Sequence, residues 1–169
     1  MVIVVMGVSG SGKTTVGRLL AADLGWIFYE GDEAHPPDNL RKMAAGTPLT
    51  DADRLPWLRE LRRLIESTLA TGEDAVLACS ALKESYREVL AGGLEGVCFV
   101  HLTGDPALIA ERLEHRQGHF MKAGMLASQL AVIEPPEGGV SVEVEGSPGE
   151  IVAEVRRRLQ LFPRSRSIS

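Results

Sequence analysis

Cysteine is scarce: the chain has two, Cys79 and Cys98, each inside a predicted strand. Buried free thiols in a reducing compartment are the plain reading, and no Cys/His spacing suggests a zinc site. Long apolar runs are also missing. The N-terminal run is apolar for only five or six residues before it meets a glycine-rich loop. That is too short for a signal peptide or a membrane span, so a cytoplasmic location is expected. Positive charge is not in excess. The net charge is −5 and the pI about 5.4, which argues against broad attraction to nucleic acid or membrane. Any anion site must therefore come from local basic residues. No internal repeat and no interdomain linker is visible.

What is present is enough apolar material for one core. The chain has 169 residues, of which 44% are hydrophobic, as expected of one globular domain. It is organised around Gly7-Val8-Ser9-Gly10-Ser11-Gly12-Lys13-Thr14, which fits G-x-x-x-x-G-K-[ST], a phosphate-cradling loop. Val2-Ile3-Val4-Val5-Met6 before it reads as a buried parallel strand. Val16, Leu19, Leu20 and Leu24 after it recur at helical spacing, so a helix opens near Lys13. The glycines let the backbone bend and its N–H groups approach an anion, and the helix N-terminus adds its own donors. Lys13 is expected to reach the β- and γ-phosphates, and Thr14 to offer its hydroxyl to Mg²⁺.

A second strand, Ile27-Phe28-Tyr29, delivers Glu30 and Asp32 at its carboxyl end, where open α/β sheets bind ligands. The two share a face if the strand continues; they could serve Mg²⁺ and a substrate hydroxyl, or form a solvated acidic turn. Asp32-Glu33-Ala34-His35 spells a helicase signature, which is rejected because that reading needs two large motor domains. From Pro36 to Arg63 the chain reads as polar and helical, with a helix starting near Asp38. Gly46-Thr47-Pro48 breaks it, and a longer helix capped by Asp51 or Thr50 carries Trp57, Leu58, Leu61, Leu64, Ile65 and Leu69. Such an insertion can wall off a second substrate; Arg41, Lys42 and Arg54 are its cations, with Arg54 best placed.

Ala75-Val76-Leu77-Ala78-Cys79 reads as a third strand without the common terminal aspartate. Lys83 then opens a helix, where a lysine opposes the macrodipole and suggests a local anionic partner. Val97 to Leu102 is a fourth strand, in which His101 reads as a packed or edge residue. Gly104-Asp105-Pro106 starts a helix with Leu108, Ile109 and Leu113. Arg112 and Arg116 lie four apart on one helix face, and Gly118 and Gly124 could hinge a lid over transferring phosphates, the alternative being a solvated basic helix end. Val140 to Glu145 alternates as a fifth strand. Ser147-Pro148 caps a last helix with Ile151, Val152, Val155 and Leu159 inward. A Ser/Arg-rich tail, 163–169, is expected to be disordered. The division expected is one domain over 1–162, with an insertion at 36–70 and a lid at 114–130.

Four stretches carry a resemblance to the bacterial-type gluconokinases: GVSGSGKTTVG (Gly7 to Gly17), EGDEAHPPDNLRKMAAGTPLTDADRLPWL (Glu30 to Leu58), ACSALKESYRE (Ala78 to Glu88) and RQGHFM (Arg116 to Met121). The likeness runs from about Val2 to Leu161. It implies an α/β P-loop kinase fold, a five-stranded parallel sheet flanked by helices and close to shikimate kinase. The implied activity is transfer of the γ-phosphoryl of ATP to D-gluconate with Mg²⁺, giving 6-phosphogluconate for the pentose phosphate pathway. It further implies a homodimer; the expectations of a cytoplasmic location and of no nucleic-acid or membrane partner rest on the charge and the N-terminal run. By position, Gly7 to Thr15 would hold the nucleotide with Arg112 and Arg116. Asp32 would favour attack by the substrate hydroxyl, and Thr14 and Glu30 would serve Mg²⁺, Glu30 standing where many relatives have Asp. His35, Arg54 and Lys83 would help hold the sugar acid, and Arg116 would act from the lid. Rival readings are a kinase for another small acid or nucleotide, and a nucleotide-dependent switch. The second is disfavoured because neither D-x-x-G nor N-K-x-D occurs in the sequence.

Overall fold

The five apolar runs become the five strands of one sheet: β1 (Val2–Met6), β2 (Ile27–Glu30), β3 (Ala75–Ala78), β4 (Val97–Thr103) and β5 (Val140–Glu143). The structure, a computed structural model, describes residues 1–114 and 123–161. The strand order is β2-β3-β1-β4-β5, and every pairing is parallel, with Val4 opposite Leu77 on one side and Phe99 on the other. Parallel strands need crossovers. These are supplied by α1 (Lys13–Leu24), α2 (Pro37–Ala44), α3 (Asp51–Ala70), α4 (Glu84–Ala91), α5 (Pro106–Glu114) and α6 (Ala123–Leu130), with α7 (Pro148–Leu159) closing the fold.

Helices on both faces explain why β1 and β3 are uninterrupted apolar runs. Ile3, Val5, Val100 and Leu102 face Val16, Leu20, Ile109 and Val155. Val2, Val4, Met6 and Leu77 face Trp57, Leu58, Leu61, Ile65 and Leu90. Each of these buried side chains stabilises the fold by roughly 1.5–3 kcal/mol. Leu19, read from spacing as part of the inward stripe of α1, is instead 44% exposed. The buried face of α1 is Val16, Gly17, Leu20, Ala21 and Leu24, and Gly17 takes the inward position because Phe28 lies against it: a Cβ there would meet the Phe28 ring at 2.9 Å.

Two further differences matter for the site. β2 does not continue past Glu30, so Glu30 and Asp32 do not share a strand face; Gly31–Ala34 turns into a 3-10 helix. Gly31 packs against β3, where a Cβ would lie 2.5 Å from the Ala78 carbonyl oxygen. Cys79 falls one residue beyond β3 and is fully buried. The cap of α3 is Thr50, whose hydroxyl accepts from Asp53 N–H while the Asp53 carboxylate accepts from Thr50 N–H, a reciprocal box worth about 1 kcal/mol. Ser147 and Glu150 form the same box at α7.

Candidate active site

Strand order reverses direction at β1, between β3 and β4, and the crevice at the carboxyl ends of the strands there is where such sheets bind ligands. β1 runs directly into the phosphate loop. Gly7 has a φ of 147° and its N–H donates to the Ser80 carbonyl just beyond β3. A side chain at Gly10 would come within 2.9 Å of the Ile109 carbonyl, and its φ is 82°, so the tight loop is affordable only to glycine. Val8 is buried in the core and contributes backbone alone. Gly12 is the left-handed residue at the start of α1, which directs the first amides of the helix, from Lys13 to Thr15, at the loop mouth.

Lys13 Nζ donates to the Val8 carbonyl at 3.0 Å, spanning the loop. Thr14 Oγ1 donates to Glu30 Oε2 at 2.7 Å. A hydroxyl and a carboxylate, both hard oxygen ligands, are thus already side by side. Among the described residues no cluster of three or more His, Cys, Asp or Glu forms a metal cage. The pair fits an ion such as Mg²⁺, which takes one or two protein oxygens and leaves its other positions to water and phosphate. The Cys79 thiol lies close to these groups. Burial first, then the Asp32 carboxylate, push it up to about 12, with Lys13 opposing, so it is an inert thiol.

A narrow cavity of about 30 Å³ is lined by Ser9, Lys13, Asp32, His35, Met43, Leu49, Arg54, Ser80 and Gln129. It joins the phosphate loop to the 3-10 turn and to the α2–α3 segment. The turn is held from behind by Trp57 of α3, fully buried, whose Nε1 donates to the Gly31 carbonyl at 2.7 Å. His35 stacks on the same indole, centroids 4.2 Å apart and planes 14° from parallel.

The protonation of His35 follows from its neighbours. Asn39 Nδ2 donates to the Asp53 carbonyl at 2.8 Å, which fixes the amide orientation, and lies 3.3 Å from His35 Nδ1. An amide nitrogen only donates, so Nδ1 accepts and the ring proton sits on Nε2. Burial drives the His35 pKa from 6.5 to about 4, against the pull of Asp32 and with some help from Arg54. At neutral pH His35 is therefore an uncharged hydrogen-bonding wall, and Lys13 and Arg54 are the cations lining the cavity.

The remaining sequence candidates divide. Lys83 does not line this cavity. Its Nζ donates to both oxygens of Asp51, at 2.9 and 3.0 Å, and that bond raises its pKa. The anionic partner its position calls for is thus supplied by the N-terminus of α3. Arg112 Nη2 donates to the Val144 carbonyl at 2.7 Å, tying α5 to the end of β5. Arg116 lies outside the described residues, as do residues 115–122 of the expected lid and all of the 163–169 tail. Ser80 and Gln129 were not singled out from sequence. Ser80 sits at a turn betrayed only by the positive φ of Ala81, 42°, a strain visible in three dimensions. Gln129 offered a weak signal, being with Ser128 one of two polar side chains in a mostly apolar helix.

A family model described as an AAA domain matches residues 2–136. The chain is 49% identical over 161 residues to a gluconokinase of Gluconobacter oxydans (strain 621H), covering 94% of this chain and 90% of that protein. Among solved structures, a gluconokinase from Sinorhizobium meliloti 1021 superposes with a TM-score of 0.82 at 48% identity, covering 94% of this chain and 90% of that one. Shikimate kinase from Aquifex aeolicus vf5, at 20% identity, shares the fold alone, with a TM-score of 0.61 over 95% of this chain and 96% of that one. The likeness in sequence and in fold thus runs across nearly the whole chain, and the chain belongs to the gluconokinase family of phosphotransferases.

Proposed function

We propose that this kinase transfers the γ-phosphoryl group of ATP to D-gluconate, giving 6-phospho-D-gluconate. The observation that carries the reading is the single cavity shared by Lys13 of the phosphate loop and Asp32, His35 and Arg54 from the substrate side. A phosphate-binding lysine and a carboxylate in one small space are what in-line transfer to an alcohol requires.

In this reading the loop amides and Lys13 hold the nucleotide phosphates. Asp32 accepts a hydrogen bond from the acceptor hydroxyl and takes up its proton as the oxygen attacks phosphorus. Arg54 pairs with the sugar acid's carboxylate, and neutral His35 donates from Nε2 to a hydroxyl without adding charge. Thr14 and Glu30 hold Mg²⁺, which when bound neutralises charge on the phosphate oxygens. Arg116, by its place in the RQGHFM string, stabilises the transferring group, so Arg116→Ala lowers turnover by ~10³-fold. Lys83 acts through Asp51, fixing the start of α3. The cavity is narrow, about 30 Å³, and in this reading it widens as the six-carbon acid enters.

A coupled ADP-release assay over gluconate, shikimate and nucleoside monophosphates, with and without Mg²⁺, tests the proposal. Turnover is expected with gluconate and only with Mg²⁺. Turnover of shikimate or a monophosphate with inert gluconate would overturn it, as would ATP binding without any product.

A further inference from the structure

Gln129 has no role in the scheme above. It lies near the end of α6, yet it is 8% exposed. A buried carboxamide is costly unless it is hydrogen-bonded. Its Oε1 accepts from Ser9 N–H at 2.7 Å, across 120 residues of sequence. A backbone N–H is met only by the oxygen end of an amide, so the orientation of the side chain is fixed. Ser9 is the third residue of the phosphate loop, and Ser9 and Gln129 line the same cavity as Lys13, Asp32 and Arg54. α6 itself is seated by Leu126, which is buried in the core beside Ile109 and Leu113 of α5.

The position of this contact gives it a consequence. The second half of the loop is held by the helix it starts: Val16 N–H donates to the Gly12 carbonyl at 2.9 Å. The first half precedes the helix and has no such ladder: Gly7 N–H is tied to the Ser80 carbonyl beyond β3, while Ser11 N–H and Lys13 Nζ both bond to the Val8 carbonyl within the loop. Gln129 is an external strut on that half, on the side facing the acceptor. We propose that Gln129 is a positioning residue for phosphoryl transfer. By holding the Ser9 amide against α6, it sets the phosphate loop relative to the carboxylate of Asp32 across the cavity. The inference rests on the kinase reading above. Where positioning does most of the work, an ångström of drift is worth about a hundredfold in rate.

Two variants separate the hydrogen bond from packing. Gln129→Met keeps the length and volume but removes the acceptor; Gln129→Glu keeps an acceptor oxygen. In Gln129→Met, kcat is expected to fall tenfold or more, with the KM for ATP within about threefold and the melting temperature within about 4 °C of wild type, the shift that roughly one hydrogen bond produces in a chain of this size. Amide hydrogen exchange of the loop peptide containing Ser9 should quicken in Gln129→Met and return toward the wild-type rate in Gln129→Glu. A Gln129→Met enzyme with wild-type kcat, or loop exchange unaltered by the substitution, would overturn the inference. Failure of the wild-type protein to phosphorylate gluconate would instead count against the kinase reading, and the exchange comparison would still decide whether the strut exists.

Discussion

Replacing Trp57 by Phe probes the connection between the hydrophobic core and the acceptor side of the site. Trp57 is fully buried, donates from Nε1 to the Gly31 carbonyl at 2.7 Å, and carries the His35 ring on its face. Phenylalanine preserves an aromatic platform for His35 and removes the N–H. The buried carbonyl then loses that donor, at a cost of about 1–3 kcal/mol, and the missing ring edge adds about 1 kcal/mol for the gap it leaves. Together these amount to about 2–4 kcal/mol. For a chain of this length each kcal/mol lowers the melting temperature by roughly 2–4 °C, so a fall of about 10 °C is expected by calorimetry. The same bond fixes the 3-10 turn that bears Asp32, and the hydrogen bond and ring contact of Trp57 go to Gly31 and His35, not to the phosphate loop. The KM for gluconate should therefore rise about tenfold while that for ATP stays within about twofold, since a lost hydrogen bond of this kind is worth about a factor of ten. A variant that melts early yet keeps its gluconate KM would refute the claim that this indole positions the acceptor side.

Other consequences follow from neighbouring groups. Because burial holds the His35 pKa at about 4 against 6.5 when free, the unfolded chain binds a proton there that the folded chain refuses. The resulting stability is present above pH 6.5 and is lost as pH falls toward 4, amounting to about 3 kcal/mol at most. Denaturant melts of wild type and His35→Gln across that window should converge at low pH, and parallel curves would remove His35 as the cause. Arg54→Met should raise the gluconate KM about 10- to 100-fold, as expected for a lost charge-assisted bond, whereas Lys83→Met, whose ammonium is committed to Asp51, should change it less than about threefold, since exposed ion pairs contribute little. Equal effects would place Lys83 on the substrate after all. Thr14→Val and Glu30→Gln should each raise the Mg²⁺ concentration for half-maximal rate by about tenfold. The double variant should add little more, because the two side chains share one hydrogen bond; full additivity in a magnesium titration would separate them.

The sequence by itself determined the five strands, the phosphate loop and the order of elements along the chain, while the order of the strands within the sheet came with the tertiary structure. Val2 to Met6, the glycine spacing and the apolar period of α1 act over a few residues, and local sterics and burial of one face leave them little choice. The Ser147 cap was legible for the same reason, since its box closes within three residues, and the cap of α3 was narrowed to Thr50 or Asp51, of which the structure takes Thr50. Only the tertiary structure decided where β2 stops, because Gly31 turns under contact with Ala78 of β3 and under the hold of Trp57 on α3. It likewise decided that His35 is uncharged, which depends on burial against an indole and an amide from other turns of chain. Lys83 was legible as a cation in need of an anion, but that the anion is Asp51 depends on how α3 and α4 pack. Gln129 meets Ser9 across 120 residues; no local propensity encodes such a contact, because it exists only once the sheet has brought α6 over the loop.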